Sequence, residues 1–315
     1  MIASAVRVLR HKGPVGLLVG TYFLARIHIH RDLLGKRFIK KRIHDYWMFL
    51  DARDRGISRT LLLFGRREED HRIILEKVLH EGMTVLDIGA NIGYYALMES
   101  RLVGPSGRVI AVEPSPENVE LLERNLATNG CDNVLVLPIA ISDRSGRRAL
   151  WLSELSNLHS FHEREDGSGH MSGQTIEVET RTVPDVMAGL DKPDLIRMDV
   201  EGHEVDVING MLAAVENGDM APMILFETHR RHYTADHDIV GPLSRLFDCG
   251  YRIRYAASSG EAGTRIIDNL GYKGSAPVKT DFMTRVIYEN VRNDDLIDLI
   301  CRTGGVRTVL LQKAA

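Results

Sequence analysis

The chain has little cysteine: Cys131, Cys249 and Cys301 are three residues in 315, scattered singly. That spacing supports neither a disulfide framework nor a zinc site, and a reducing, cytoplasmic setting is the expectation. A long apolar run is also missing. The stretch from Val15 to Ala25 is interrupted by Gly16 and Gly20 and runs into Arg26, His28, His30 and Arg31, too short for a bilayer span of about 20 residues. No small-residue cleavage pattern comes after it, so a secretory signal is not expected, while an amphipathic helix lying in a membrane interface stays open. No internal repeat is visible. The 44% hydrophobic and 26% charged composition is that of an ordinary globular protein. The length allows one large core or a catalytic domain with a small appendage.

What is present is first a charge asymmetry. Ten lysines and arginines stand against two aspartates between Met1 and Leu50, a local charge of +8, which leaves −11 for the rest of a chain whose net charge is −3. Residues 1–58 read as a basic helical arm, with Trp47, Phe49 and Leu50 placed to dock on the rest of the protein. A basic arm on an acidic body points to peripheral contact with anionic membrane through residues 1–50, or to a solvated helix face.

Beyond the arm, residues 59–315 read as one domain. Residues 66–80 carry the apolar spacing of an amphipathic helix, and strand and helix signals then alternate. Thr84 to Ile88, Arg108 to Val112, Asn133 to Ile141, Leu195 to Asp199 and Met223 to Glu227 are the expected strands. Tyr94 to Leu102, Pro116 to Asn129 and Glu204 to Val215 are the expected helices, the second closed by Gly130. This rhythm predicts an α/β fold with a doubly wound, mainly parallel sheet. It breaks at 153–174, a Ser-, Gly- and His-rich insertion between extended segments Arg148 to Leu152 and Thr175 to Val183. The insertion reads as a lid over the acceptor site, or as a disordered surface insertion, and carries His159, His162 and His170, whose spacing matches no metal pattern.

The chemistry concentrates in Val85-Leu86-Asp87-Ile88-Gly89-Ala90-Asn91-Ile92-Gly93-Tyr94-Tyr95, a strand turning through small residues into a helix. Gly89 lets backbone approach a ligand, Ala90 and Asn91 form the turn, and Gly93 lets the helix pack on the strand. A dinucleotide site would need a second and third glycine where Asn91 and Tyr94 stand. Asp87, two residues before Gly89, instead offers a carboxylate to a ligand ammonium, and the helix N-terminus offers N–H groups to a ligand carboxylate. Glu113 ends the next strand, where an acid can bind both ribose hydroxyls. A nucleoside bearing an amino acid fits all of these, and S-adenosylmethionine is the expected cofactor.

These residues, with Ala111-Val112-Glu113-Pro114, Ala140-Ile141-Ser142-Asp143, Asp199-Val200-Glu201-Gly202-His203-Glu204 and Phe226-Glu227-Thr228-His229, resemble the FkbM-type family of class I S-adenosylmethionine-dependent methyltransferases over about residues 45 to 235. The resemblance implies a Rossmann-like, seven-stranded sheet with an antiparallel last strand. It also implies O-methylation of a hydroxyl on a sugar, glycan or natural product. One departure is Ala140-Ile141 where many such enzymes place an acid for the adenine amino group, which leaves Ser142 and Asp143 as the candidates.

Methyl transfer to an alcohol needs the acceptor aligned and its proton removed. Asp199, Glu201, Glu227 and His229 cluster at predicted strand ends and are the catalytic candidates. His229 or His203 could act as base, or Asp199, Glu201 and Glu227 could hold a divalent metal; the metal-free version is preferred. Two alternatives are a methyltransferase acting on RNA or protein, and a catalytically inactive binding protein with this fold. The base-methylating Asn/Asp-Pro-Pro-Tyr turn is absent and the basic residues lie away from the predicted site, so no nucleic-acid partner is expected.

Overall fold

Residues 2–161 and 171–314 are described by the structure, a computed structural model. Helix α1 (Ile2–His28) bends at Gly13-Pro14 and runs into one wide π-helical turn, Ile29–Leu33. The helical reading of the arm ends there: Phe38–Ile43 and Tyr46–Asp51 are an antiparallel hairpin. Its period of two explains the change, since Ile39, Ile43, Met48 and Leu50 all face inward. Helices α2 (Ile57–Phe64) and α3 (Glu69–Val78) lead into the main domain.

The central sheet contains β1 (Thr84–Ile88), β2 (Arg108–Val112), β3 (Val134–Leu137), β4 (Leu195–Met198), β5 (Met223–Glu227), β6 (Tyr251–Ser258), β7 (Ile287–Glu289) and β8 (Val306–Lys313). Their order across the sheet is β7-β6-β8-β5-β4-β1-β2-β3. The last strand, β8, is antiparallel to both its neighbours, as expected. The short β7 pairs antiparallel with β6 and adds an eighth strand at the edge, where seven were expected.

Alternate residues of each strand serve opposite faces. Val85, Val109, Leu195, Leu225 and Leu310 pack under α3 and the helices α4 (Tyr94–Val103) and α5 (Pro116–Asn129). Leu86, Ile110, Ile196, Ile224 and Leu311 pack under α6 (Glu204–Glu216) and α7 (Val240–Asp248). Such strands, buried on both faces, are what a doubly wound sheet requires.

The predicted strand from Asn133 to Ile141 is broken at Pro138, which cannot donate to a ladder. Its last residues, Ala140–Ile141, instead pair parallel with the strand Met171–Arg181, which also pairs antiparallel with Gly146–Ser153. This small three-stranded sheet carries the insertion beside the carboxyl ends of β1, β2 and β4. His162 and His170 lie outside the described residues.

Candidate active site

The turn after β1 is held by its own backbone. The N–H groups of Gly89 and Ala90 both donate to the Val112 carbonyl, at 2.9 and 3.0 Å, and that of Asn91 donates to Glu113 Oε2 at 2.9 Å. These three amides are therefore engaged within the protein, which leaves the N–H groups of the first turn of α4, from Tyr94 on, as the donors expected for a ligand carboxylate. Gly89 has φ +80°, and a Cβ there would lie 2.4 Å from the Asp199 carbonyl oxygen. Two adjacent strand ends, β1 and β4, can approach only because the side chain is absent.

Glu113 forms one wall of the cleft. Its carboxylate also accepts from the Ser115 N–H at 3.0 Å and from Asn118 Nδ2 at 3.1 Å. Burial nevertheless dominates and pushes its pKa up to about 7. Ile88, Gly89, Asn91, Glu113, Ala140, Ile141, Asp199, Glu201 and His203 line one continuous cavity.

The insertion closes this cavity from above. The Ser156 carbonyl accepts from Asn91 Nδ2 at 2.9 Å and from Asn118 Nδ2 at 3.1 Å. The Ser156 N–H donates to Asp54 Oδ1 at 3.2 Å, and His159 Nδ1 accepts from the Ser153 N–H at 3.0 Å. Phe161 stacks over His203 with ring centres 4.5 Å apart. Narrowed in this way, the cavity measures about 70 Å³.

Two expected cofactor residues lie behind the wall. Ser142 is fully buried and its Oγ lies 3.2 Å from His203 Nε2 and 2.8 Å from Arg148 Nη1, with Asp143 Oδ1 at 3.0 Å. Ala140 and Ile141, not Ser142 or Asp143, face the cavity. Asp87 is also elsewhere. It is the register partner of Arg197 on β4, lies on the α3/α4 face of the sheet, and pairs with the Arg197 guanidinium at 3.0 Å. That guanidinium continues to the Gly89 carbonyl at 3.2 Å and Asp199 Oδ2 at 3.3 Å, and lies 4.1 Å from the centre of the Tyr95 ring.

The four catalytic candidates do come together, around His229. Its Nδ1 lies 2.9 Å from Glu204 Oε1; its Nε2 lies 3.4 Å from Glu227, 3.7 Å from Asp199 and 3.7 Å from Glu201. Burial opposes charge on the imidazole, but Glu204 and Glu227 outweigh it and raise the pKa well above that of an ordinary histidine. A raised pKa favours the imidazolium form of His229, which donates hydrogen bonds from both ring nitrogens. Burial and the neighbouring Glu227 charge raise Asp199 to about 7 against the pull of Arg197. Burial would raise Glu227 too, but the adjoining Arg307 guanidinium reverses this and holds it at about 2.

Sequence reasoning missed several members of this cluster. Glu68, whose φ of +48° is the left-handed region, pairs with Arg67 and accepts from Tyr95 Oη at 2.7 Å. Arg307 on β8 reaches both Glu227 and Glu68. Arg197 had a signal: a lone cation inside the apolar strand Leu195–Met198 needs a buried partner. Glu204 was visible only as part of a motif. Donor atoms of Asp199, Glu201 and His229, and separately of Glu68, Asp199 and Glu227, lie within 4.8 Å of one another. Arg197, Arg307 and the imidazolium already neutralise most of this charge.

Comparison with known proteins identifies the family of the domain that carries this site. Residues 87–253 match the model for the methyltransferase FkbM domain, just over half of the chain. The chain is 28% identical over 185 residues to the hexuronic acid methyltransferase AglP of Haloferax volcanii, covering 58% of this chain and 66% of that protein. It is 33% identical over 156 residues to the 2-O-methyltransferase NoeI of Sinorhizobium fredii, covering 44% and 62%. The chain thus spans just under two thirds of the length of these relatives. A solved structure titled as a methyltransferase FkbM from Methylobacillus flagellatus aligns with 17% identity over 74% of this chain and 54% of that one, with a TM-score of 0.39.

Proposed function

The chain belongs to the FkbM methyltransferase family, and we propose that it moves the methyl group of S-adenosylmethionine onto a hydroxyl of a sugar, glycan or related natural product. The observation that carries this reading is that Asp199 and Glu201 belong both to the cavity walled by Glu113 and to the cluster around His229. Cofactor and proton acceptor would therefore meet at the end of β4. The names of the two relatives, one acting on a hexuronic acid and one a 2-O-methyltransferase, support a sugar hydroxyl as acceptor.

The residues fit the cofactor. Glu113 can take the ribose hydroxyls, Ala140 and Ile141 give the adenine an apolar floor, and the Gly89 carbonyl can receive the ammonium assigned from sequence to Asp87. A cavity of about 70 Å³ is too small for such a ligand, which needs on the order of 300 Å³. The segment from Ser156 to Phe161 would swing out, breaking the hydrogen bonds from Asn91 and Asn118 to the Ser156 carbonyl, to admit it, a lid in function.

The bound cofactor supplies an electrophilic methyl on a sulfonium, so the protein must position an oxygen and accept its proton. Asp199, with a pKa near neutrality, is matched to that task. Glu227, fixed as an anion by Arg307, keeps His229 charged; the imidazolium at 3.7 Å favours the anionic form of Asp199, while Arg197 Nη2 donates to Asp199 Oδ2 at 3.3 Å and orients it. Glu201, on the same turn, takes hydrogen bonds from neighbouring hydroxyls of the acceptor.

The test is a thermal unfolding series with S-adenosylhomocysteine, S-adenosylmethionine and NAD, followed by transfer of labelled methyl to a panel of uronic acids and neutral sugars. The homocysteine product at one hundred times its dissociation constant adds about 2.7 kcal/mol to native stability. A shift with NAD alone, or none with either methionine ligand, refutes the cofactor reading. Binding without turnover on any hydroxylated acceptor favours the inactive binding protein.

A further inference from the structure

Seven of the large apolar side chains exposed among the described residues fall between Val15 and Leu34. On α1 they form one stripe. Val15, Leu18, Val19 and Tyr22 are spaced three and four apart and fall within roughly 100° of the helix circumference, with Ile29 and Leu33 following in the wide turn. Leu18 is 70% exposed and Leu33 79%, which for leucines on an ordered helix is a solvation cost without a structural return.

The opposite face of α1 is already engaged. Ile27 is buried in the core, Gly20 sits against the Phe64 ring of α2, and the Lys41 ammonium lies 3.8 Å from the centre of the Phe23 ring. The helix is thus fixed to the body with its apolar stripe turned outward. It is not long and apolar enough to cross a membrane.

We propose that the outer face of α1 docks in the interface of an anionic lipid surface. Charge selects this occupant. Residues 1–50 carry +8 and the rest of the chain −11, so an anionic surface attracts the arm and repels the body, which turns the stripe toward the lipid. A second copy would bring two +8 arms together at the same stripe. Insertion of Val15, Leu18, Tyr22 and Leu33 to headgroup depth buries the exposed apolar area, and Tyr22 is of the type that settles at that level. The proposal does not depend on the acceptor or on the cofactor.

The experiment is co-sedimentation of the full chain with phosphatidylcholine vesicles, with and without roughly one third phosphatidylglycerol. Binding is expected only with the anionic lipid, weaker at high salt, and reduced about a hundredfold by the double substitution Leu18→Asp and Leu33→Asp. Both positions are exposed, so the double variant should melt as the unchanged protein does. Independently, the indole introduced by Tyr22→Trp is expected to be quenched by brominated anionic lipid. No binding to anionic vesicles, binding untouched by the two aspartates, or no quenching at position 22 each overturns the proposal. A dimer in solution that the two aspartates split into monomers overturns it in favour of a second copy.

Discussion

Asp87 and Arg197 face each other across the adjacent parallel strands β1 and β4, 3.0 Å apart and both buried. The guanidinium also reaches Asp199 and the Gly89 carbonyl, so one buried cation ties the cofactor turn to the proposed base. The pair fixes the relative position of the two strand ends from which the site is built.

Removing that cation should be costly. Arg197→Met keeps most of the volume but leaves Asp87 and Asp199 uncompensated, and a loss of about 3–5 kcal/mol is expected in urea unfolding. Adding Asp87→Asn should restore part of it, because the stranded charge goes with it. A loss under about 1 kcal/mol for the single variant would mean that the pair does not hold the strands together.

Gly89→Ala separates space from strain. The new methyl would lie 2.4 Å from the Asp199 carbonyl oxygen, so β1 and β4 must part where the cofactor is proposed to bind. S-adenosylhomocysteine binding by calorimetry should weaken at least about tenfold, in line with more than about 1.4 kcal/mol of lost interaction. Gly130→Ala is the control: it also carries a positive φ, +64°, but nothing lies within 4 Å of the added carbon. It should cost about 1 kcal/mol of stability and leave ligand affinity unchanged. Equal effects on ligand binding would show that close approach is not what Gly89 provides.

Much of this arrangement was legible in the amino-acid pattern alone. The alternation from Thr84 to Glu227 revealed the sheet because strands buried on both faces and helices with one apolar face leave a strong periodic signal. Asn91, Glu113, Asp199, Glu201, Glu227 and His229 fell at strand ends for the same reason. The illegible parts depend on long-range pairing. Asp87 carries no mark saying whether it faces a ligand or Arg197, 110 residues away in sequence. Arg307 and Glu68 reach the cluster from β8 and from the turn before α3. The hairpin at Phe38–Asp51 was hidden by its lysines and arginines, which suit an exposed helix face and an exposed strand face equally.

Glu113 gives a pH signature. Its pKa is about 7 in the folded protein, raised by burial from the usual carboxylate value near 4.5. The folded state therefore holds a proton that the unfolded chain has released across this window, so the contribution is fully present below about 4.5 and is lost as pH rises through about 7. Glu113→Gln stays neutral throughout. Unfolding free energies measured in urea between about pH 5 and 8 should fall more steeply for the unchanged protein than for the variant, by up to about 3 kcal/mol across the window. Parallel curves would place the Glu113 carboxyl near its ordinary value and in a wetter site.

Asp199 supplies the test of the chemistry. Its pKa of about 7 makes it protonated in acid and able to accept a proton only as pH rises through neutrality. Single-turnover methyl transfer should rise with pH through about 7 with the slope of one ionisation, while His229, held cationic by Glu204 and Glu227, adds no second inflection there. Asp199→Asn should lower the rate roughly 10²- to 10⁴-fold and retain the thermal shift with S-adenosylhomocysteine. Chelation distinguishes the remaining alternative. Arg197, Arg307, the His229 imidazolium and Arg67 already pair with Asp199, Glu227, Glu204 and Glu68, so a divalent ion would have to displace at least one of these cations. Activity is expected to survive EDTA. Loss in EDTA that magnesium restores would instead assign Asp199, Glu201 and His229 to a metal, and the pH profile would then report a metal-bound acceptor hydroxyl in place of the carboxylate.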